Sequence, residues 1–431
     1  MSGDLIARFL QGLGLVESAG GFHTLQTSGG VFLRCEAKSE QNCIGLAVSG
    51  GGDSMAMLHL AVAAGVPVRV VTVDHGLRAE AAAEAVEVAR VCAGLAVPHE
   101  VLRWHWDGRG NLQDAARRGR RRLIGDWARG AGVAAVAVAH TLDDVAETFL
   151  MRLARGAGVD GLSAMAARWT ESGVTWLRPL LAVSRGELRV YLRGLGVDWA
   201  EDPSNDNPRF DRVKARRALA VLGPLGLTTA RLGEVAGHLA EARVALEAVT
   251  DQAWLAALRA EAGVVRIAVE ALAAQPAEVQ RRLILRVIGW IAGPGYGPRG
   301  GAVQALLSRV LAGKPGVLAG CRFAVTPAGM MAYREAGAVA DVVSSPDQLW
   351  DGRWQLSGPV PDGAEVRMLG SGIALCPDWR ATGLPRAALM AGPALWLGER
   401  LIAAPLAGLA LEFSFIPLPG AAALHHCAIE H

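Results

Sequence analysis

The sequence predicts an α/β fold with a parallel, doubly wound sheet, a helical middle domain and a small β-rich C-terminal domain. Short apolar runs alternate with helical segments through the first part of the chain. The runs carry few polar residues, which is typical of strands that helices cover on both faces. Glycine-rich or polar stretches follow the runs, and parallel sheets bind their ligands at the carboxyl ends of the strands. We therefore expect the functional residues to follow strands.

A strand is predicted where an apolar run is bounded by turn residues, and a helix where the pattern has helical periodicity. The predicted strands of the sheet are Cys43–Val48, Val68–Val73, His99–Trp104 and Val133–Ala139. The predicted helices after them are Ser54–Ala64, Glu80–Gly94, Leu112–Arg129 and Asp143–Arg155. Each strand is thus followed by a helix, as parallel sheets require.

The alternation of strands and helices weakens after about residue 225. Residues 228–260 and 276–292 have the pattern of amphipathic helices, with a short strand near Val264–Ala268 between them. From about residue 345, short strand-like pieces lie between glycines and prolines. A chain of 431 residues is too long for one core. We divide it into an N-terminal extension (1–41), an α/β domain (42–224), a helical domain (225–344) and a small C-terminal domain (345–431).

Composition and charge exclude several classes of protein. The 43 basic and 41 acidic residues nearly balance, which excludes a uniformly basic coat for nucleic acid but allows local basic patches. The six cysteines are dispersed, without a C-x-x-C pair or a zinc spacing, as in proteins of a reducing compartment. The N-terminus lacks the pattern of a signal peptide, and no apolar window is long enough for a membrane span. We expect a soluble, cytoplasmic protein with no membrane partner, and a homodimer is among the oligomeric states left open.

The stretch S-G-G-G-D-S, Ser49 to Ser54, joins the first predicted strand to the first helix. Backbone N–H groups and a helix N-terminus converge at such a turn and favour an anion, and glycines let a phosphate approach closely. The loop lacks the Lys of a Walker A motif and the third Gly of the Rossmann fingerprint. Asp53 in this place indicates Mg²⁺ shared between a carboxylate and phosphate oxygens. A tight turn without a ligand is the structural alternative.

Motifs further along the chain extend this pattern. They are V-D-H-G-L-R (73–78), A-H-T-L-D-D-V-A-E-T (139–148), R-G-A-G-V-D-G-L (155–162), R-P-L-L (178–181), D-P-S-N-D (202–206) and F-D-R-V-K-A-R-R (210–217). The loop resembles the pyrophosphatase loop of the N-type ATP pyrophosphatases (the PP-loop superfamily), and the whole series resembles the tRNA(Ile)-lysidine synthetases over about residues 42–220. Thr141, Val145 and Val213 depart from that family's pattern, which usually has a second His, a Gln and an Asn there.

The resemblance implies an adenine nucleotide alpha hydrolase-like fold and a ligase that forms a carbon–nitrogen bond. In that family, ATP adenylates the wobble cytidine (position 34) of a tRNA(Ile) with a CAU anticodon, with release of pyrophosphate. Free L-lysine then displaces AMP at carbon 2 and forms lysidine. The implied cofactors are ATP and Mg²⁺, and the implied partners are this tRNA and free L-lysine. The helical domain (225–344) would bind tRNA.

The resemblance also implies roles for individual residues. The ATP-binding residues would be Ser49, Gly50, Gly51, Gly52, Asp53 and Ser54, together with His75 and Arg78. The catalytic residues would be Asp53, which also binds the metal, and Asp143, Asp144 and Glu147, which face the lysine ammonium group or a metal. The residues that bind lysine or phosphate would be His140, Arg212 and Arg216. The tRNA-binding residues would be Arg117, Arg120 and Arg121 in an arginine-rich helix.

Residue spacing agrees with these roles, and each has a structural alternative. Asp143 and Glu147 are four residues apart and share one face of a helix, although acidic residues also favour any helix start. Arg212 and Arg216 are likewise four apart, which suits a phosphate or a carboxylate. The arginine-rich helix could present a solvated face.

Two other functions compete with the ligase. A different PP-loop enzyme that modifies tRNA is one, although a thiolase would need paired cysteines, which the sequence lacks. A non-catalytic RNA-binding protein is the other, although the acidic residues are intact and aromatic residues are scarce. Lysine-dependent use of ATP would discriminate between them.

Overall fold

The structure is a computed structural model that describes residues 2–18, 21–24, 34–35, 43–76, 79–106, 108, 112–133, 135–201, 211–293 and 297–417. The chain divides into two compact units, residues 1–242 and 243–431. The helices are α1 (Ser2–Leu13), α2 (Gly52–Ala63), α3 (Ala79–Gly94), α4 (Leu112–Gly130), α5 (Leu142–Leu153), α6 (Val159–Leu162), α7 (Arg185–Gly194), α8 (Asp211–Leu222), α9 (Thr229–Ala257), α10 (Val269–Ala273), α11 (Ala277–Ala292), α12 (Gly300–Leu311) and α13 (Arg386–Met390).

The strands fall into five sheets within the described residues. They are β1 (Leu15–Ser18), β2 (Gly21–Thr24), β3 (Arg34–Cys35), β4 (Ile44–Ala47), β5 (Val68–Asp74), β6 (His99–Arg103), β7 (Ala135–Val138), β8 (Arg168–Glu171), β9 (Val174–Leu177), β10 (Leu258–Glu261), β11 (Val264–Ile267), β12 (Gly316–Leu318), β13 (Cys321–Thr326), β14 (Gly329–Arg334), β15 (Trp354–Ser357), β16 (Glu365–Met368), β17 (Pro393–Leu397), β18 (Arg400–Ala403) and β19 (Ser414–Pro417).

The first unit contains the predicted parallel sheet, in the order β6-β5-β4-β7-β9-β8. The strands from β6 to β9 are parallel, and β8 joins the edge antiparallel to β9. Alternate residues of β4 point to opposite faces, so Ile44 and Leu46 pack in one core while the preceding Cys43 packs in the other. The parallel α/β fold expected from the sequence is confirmed, because both faces of the sheet are covered.

The β8–β9 hairpin was missed in the sequence. Each of its strands has four residues, which is too short for a clear periodicity. The connecting residues Ser172 and Gly173 both have positive φ, at 51° and 78°, as a two-residue hairpin turn requires. The pair Ser-Gly between β-branched and aromatic residues was the available signal. The hairpin matters because β9 carries the chain back to the carboxyl edge of the sheet.

Helix α1 belongs to the core of the first unit. Its buried side chains Leu5, Phe9 and Leu13 pack in the same cluster as β4 and α2. Arg8 Nη2 also donates to Glu187 Oε1 on α7 at 2.6 Å. The sequence assigned this helix to an extension, and the four-part division of the chain stays a prediction.

The second unit is mixed. The expected helices appear as α9, which begins in the first unit, and as α11, and the expected strand appears as β11. This strand lies in a five-stranded antiparallel sheet, in the order β10-β11-β14-β13-β12, that the sequence pattern did not reveal. The β-rich C-terminal region is confirmed by the sheets β16-β17-β18 and β15-β19. In the described part of the chain, no helix is both long and apolar enough to span a membrane.

Candidate active site

The glycine-rich loop lies between β4 and α2, as predicted. Gly51 is the N-cap of α2, and Gly50 has a φ of +85°, a conformation that glycine adopts without strain. Ser54 Oγ donates to the carbonyl oxygen of Gly51 at 2.9 Å and accepts from the Ser49 N–H at 3.1 Å. These bonds hold the turn around the helix N-terminus, where free N–H groups favour an anion.

A segment far along the chain, Trp199 and Ala200, contacts the glycine-rich loop. The N–H of Ala200 donates to the carbonyl oxygen of Gly50 at 3.0 Å. A Cβ on Gly52 would approach the Trp199 ring to 3.2 Å, so the glycine lets this aromatic ring pack on the backbone. The loop is therefore fixed both by its own serine bonds and by residues far along the chain.

Asp53 lies in the first turn of α2 and contacts an arginine. Its Oδ2 accepts from Arg185 Nε at 3.1 Å. Burial raises the pKa of the Asp53 carboxyl, while the positive charge of Arg185 opposes that rise. A partly buried carboxylate at the loop is suited to a cation shared with phosphate.

The predicted acidic residues begin α5, directly after β7. Thr141 is the N-cap, and its N–H and Oγ1 both donate to Asp144 Oδ2, at 2.9 and 3.0 Å. One oxygen of Asp144 therefore caps the helix, as the structural alternative allowed. Burial opposes ionisation of Asp144, but Arg185 and Arg212 outweigh it and lower the pKa of this carboxyl.

Arg185 connects the acidic residues and was not predicted from the sequence. It is the first residue of α7, and its backbone N–H donates to Asp143 Oδ2 at 2.8 Å. Its guanidinium reaches Glu147 Oε1 at 2.9 Å, Asp144 Oδ1 at 3.2 Å and Asp53 at the loop. Asp144 and Glu147 offset the cost of burying this charge and raise the pKa of Arg185.

The sequence contains only an indirect signal for Arg185. Ser184 and Glu187 form a capping box that predicts a helix start at this point. The turn follows β9, which neighbours β7 in the sheet, so its first residues come close to the start of α5. Assigning the arginine to the site would have required knowledge of β9.

Helix α8 adds the two predicted arginines to the same cluster. Arg212 Nη1 donates to Asp144 Oδ1 at 3.1 Å, and Arg216 Nε donates to Glu147 Oε1 at 2.6 Å. Glu147 is only 1% exposed, and its Oε2 has no hydrogen-bond partner among the described residues. A buried carboxylate oxygen without a donor is costly unless a ligand or water supplies one.

His140 lies at the end of β7, beside this cluster. Its Nδ1 accepts from Arg178 Nε at 3.3 Å. Burial, together with the positive charge of Arg178, lowers the pKa of His140 to about 3. The imidazole is therefore neutral at physiological pH, so it would contact phosphate only as a neutral hydrogen-bonding group.

The other predicted residues that the structure describes follow β5 or lie on α4. His75 follows β5 and meets Trp104 edge-on, with ring centroids 5.8 Å apart. Arg117 and Arg120 are exposed on α4. Arg121 is partly buried, with its guanidinium 5.9 Å from the ring of Trp169. Arg78 and the D-P-S-N-D motif lie outside the described residues.

Trp104 packs against Gly119 of the arginine-rich helix, which makes this glycine sensitive to substitution. A Cβ there would lie 1.9 Å from Trp104 Nε1. We expect Gly119→Ala to destabilise the protein by about 1–3 kcal/mol, because the buried ring must move. Gly125→Ala on the same helix is the matched control, since its Cβ would meet only Arg129 Nη1 at 3.8 Å and alanine favours helices. Urea unfolding measures both, and equal stabilities would contradict the packing.

The residues at the loop fit a magnesium ion held largely by phosphate. Mg²⁺ usually binds one or two carboxylates, substrate phosphates and water. Asp53 supplies one carboxylate at the loop, and among the described side chains no cluster of three metal-ligating groups occurs. The donor set therefore suits an ion that arrives with ATP rather than a resident metal centre.

Known proteins resemble this chain in sequence. Residues 26–222 match the family model described as a PP-loop domain. The chain is 50% identical over 373 residues to the tRNA(Ile)-lysidine synthase of Ruegeria pomeroyi, covering 85% of this chain and 89% of that protein. It is 42% identical over 296 residues to the enzyme of that name from Rhodopseudomonas palustris, covering 66% of this chain and 85% of that protein. The corresponding protein of Zymomonas mobilis is 39% identical over 281 residues, covering 64% and 84%.

Proposed function

The chain belongs to the tRNA(Ile)-lysidine synthase family, and from that premise we propose that it joins free L-lysine to carbon 2 of the wobble cytidine of a tRNA(Ile) with a CAU anticodon. The family and its PP-loop domain make it an ATP-using ligase that modifies tRNA. Beyond this, we propose that lysine is the amine, that the wobble cytidine is the base, and that adenylation precedes the attack of the amine.

The observation that carries the proposal is the acidic cluster beside the loop. Asp53, Asp143, Asp144 and Glu147 come together around Arg185, and Glu147 keeps one buried oxygen without a donor. An ammonium group carries a positive charge and several N–H donors, so it can provide the hydrogen-bond donor that this oxygen lacks. The loop supplies a place for the triphosphate within reach of the same cluster, through the contact of Asp53 with Arg185.

The proposed reaction has two steps, adenylation of the cytidine and displacement of AMP by lysine. The O2 oxygen of the cytidine attacks the α phosphate of ATP, and pyrophosphate leaves. The ε-amine of lysine then attacks carbon 2, and AMP leaves with the former O2 oxygen. The attacking amine must lose protons, and a carboxylate of the cluster is placed to accept one. Asp53 would hold Mg²⁺, which neutralises charge on the phosphates when it is bound.

The remaining predicted residues receive roles that follow from charge and exposure. Arg212 and Arg216 pair with Asp144 and Glu147, and they place positive charge where the carboxylate of lysine or a phosphate would lie. The exposed Arg117 and Arg120 would contact the phosphates of the tRNA, with Arg121 behind them. We also retain the helical domain (225–344) as the main tRNA-binding candidate.

Cysteine chemistry does not favour the competing thiolase. Burial raises the pKa of Cys92 to about 11 and that of Cys321 to about 12. Neither thiol would be a thiolate at neutral pH, and the thiolate is the reactive form. Cys43 and Cys376 are also buried.

The test is incorporation of labelled lysine into a tRNA(Ile) transcript with a CAU anticodon, in the presence of ATP and Mg²⁺. We expect labelling that requires ATP and does not occur on a tRNA(Met) control. If AMP forms with tRNA but no lysine is incorporated, the nucleophile is wrong and another PP-loop reaction replaces the proposal. If soluble, folded protein gives neither product, the ligase itself is contradicted.

A further inference from the structure

Two side chains that follow neighbouring strands meet beside the acidic cluster. β7 and β9 run parallel, with Ala137 opposite Leu177. Arg178 directly follows β9, and His140 lies two residues beyond β7. Their ends therefore share the carboxyl edge of the sheet, and Arg178 Nε lies 3.3 Å from His140 Nδ1.

The position of Arg178 is fixed by two contacts with the hairpin region. Its guanidinium carbon lies 4.0 Å from the ring centroid of Trp169, which is a close cation–π contact. Trp169 stacks in turn on its cross-strand partner Trp176, with centroids 5.6 Å apart and planes 14° apart. Arg178 Nη1 also donates to the carbonyl oxygen of Ala166 at 2.6 Å. The guanidinium is thus held in one plane, with its Nε–H aimed at the imidazole.

The chemistry of this hydrogen bond determines the state of the histidine. A guanidinium can only donate, so His140 Nδ1 must accept and cannot carry a proton. We propose that Arg178 is a positioning residue that holds His140 as the neutral tautomer protonated at Nε2, so that His140 offers a fixed N–H donor to an oxygen of the substrate. The assignment of a substrate oxygen rests on the proposed function, whereas the tautomer does not.

The charged groups around His140 support the neutral form. Arg178 follows β9, Arg212 lies on α8 and Arg120 on α4, and all three oppose a positive imidazole. Asp144 on α5 is the opposing negative charge. Burial is the largest cause, and the pKa of His140 falls to about 3. The imidazole therefore does not take up a second proton at neutral pH.

The donor has a defined set of acceptors. His140 is half-buried, and its Nε2 makes no hydrogen bond within the described residues. Two oxygens of the proposed reaction could accept from it, a phosphate oxygen of ATP and the O2 of the cytidine. If the ring rotated or changed tautomer, the Nε2–H of His140 would no longer point at the acceptor oxygen. A misplacement of this kind costs roughly a hundredfold in rate.

The direct test is nitrogen-15 NMR of the full chain labelled at histidine, with the His140 signal identified by its loss in His140→Gln. We expect a protonated Nε2 and an unprotonated Nδ1 that stay unchanged from pH 7.5 to pH 5. In Arg178→Leu we expect a mixture of tautomers and a His140 pKa higher than in the wild type, because one of the charges that oppose the imidazolium is gone while burial remains. Arg168→Leu, an exposed arginine on the same hairpin, should leave the wild-type signal unchanged. A wild-type His140 that is protonated at Nδ1, or that titrates near pH 6.5, would overturn the proposal whether or not the variants fold.

Ligand titrations of the same labelled protein separate the two acceptors. A shift of the Nε2 signal on adding α,β-methylene ATP identifies a phosphate oxygen, and a shift that requires the tRNA identifies the base. If neither ligand shifts the signal, the proposed contact between His140 and the substrate is wrong. Kinetics give a second readout: Arg178→Leu should lower kcat roughly a hundredfold with little change in KM for ATP, and its activity should decline at a higher pH than that of the wild type. Arg178→Lys, which keeps the charge without the planar stack, should recover only part of kcat.

Discussion

Asp53→Ala is expected to reduce the formation of AMP and pyrophosphate by at least about a hundredfold while the chain stays folded. The carboxylate lies at the loop in the first turn of α2, where the proposed reaction develops charge on phosphate. Removing one such electrostatic group from a site that excludes water typically costs this much or more. Pyrophosphate release in the presence of tRNA, lysine and ATP measures the loss, and circular dichroism measures folding.

Two further variants make the Asp53 result specific. Asp53→Asn keeps the shape and an acceptor for Arg185 Nε but removes the charge, so it should be nearly as inactive as Asp53→Ala. Asp126→Ala removes an exposed carboxylate of α4 that pairs only with its neighbour Arg129, and it should retain full activity. Normal AMP formation by folded Asp53→Ala would remove this residue from the mechanism.

Arg185→Met is expected to lower the free energy of unfolding by about 3–5 kcal/mol and to abolish lysine incorporation. The substitution takes one guanidinium away from three carboxylates, of which Asp144 is 7% and Glu147 1% exposed. Arg212 and Arg216 still pair with Asp144 and Glu147, so part of the buried charge stays compensated, but breaking a buried ion pair on one side typically costs about this much. Urea unfolding at pH 7 measures the change. Arg185→Lys should restore little, because a single ammonium cannot reach all three partners.

Acidification and a double mutant test the cause of the Arg185 effect. Burial raises the pKa of the Asp53 carboxyl and Arg185 opposes that rise, so without Arg185 the pKa in the folded state lies still further above its unfolded value, and protonation relieves the variant as pH falls. The difference in stability between Arg185→Met and wild type should therefore shrink from pH 7 towards pH 5. Glu147→Gln combined with Arg185→Met should be more stable than the sum of the single losses predicts. A loss below 1 kcal/mol for Arg185→Met would contradict the electrostatic account.

The sequence was sufficient for those parts of the fold that local pattern determines. β4, β5 and β7 are apolar runs between clear turns, whereas the edge strand β6 is more polar, and each was predicted to within a few residues. The glycine-rich loop was predicted because its backbone demands are local, as the positive φ of Gly50 illustrates. Asp143 and Glu147 were placed on one helix face by spacing alone.

What was missed depends on contacts between distant parts of the chain. Arg185 lies 132 residues from Asp53 and 38 from Glu147 in sequence, and only the position of β9 next to β7 brings them together. The bond between Arg178 and His140 has the same origin, since it joins the ends of two parallel strands. The sheet of β10 to β14 was missed because its strands are short and pair antiparallel without a single long alternating run.

The acidic cluster also has a simple consequence for ligand choice. It contains four carboxylates and the three guanidinium groups of Arg185, Arg212 and Arg216, so the cluster carries one negative charge in excess. Any small monovalent cation that reaches Glu147 would bring this part of the site to neutrality. Charge therefore attracts ornithine as readily as lysine, and the length of the methylene chain, measured against the distance to the activated base, must provide the discrimination.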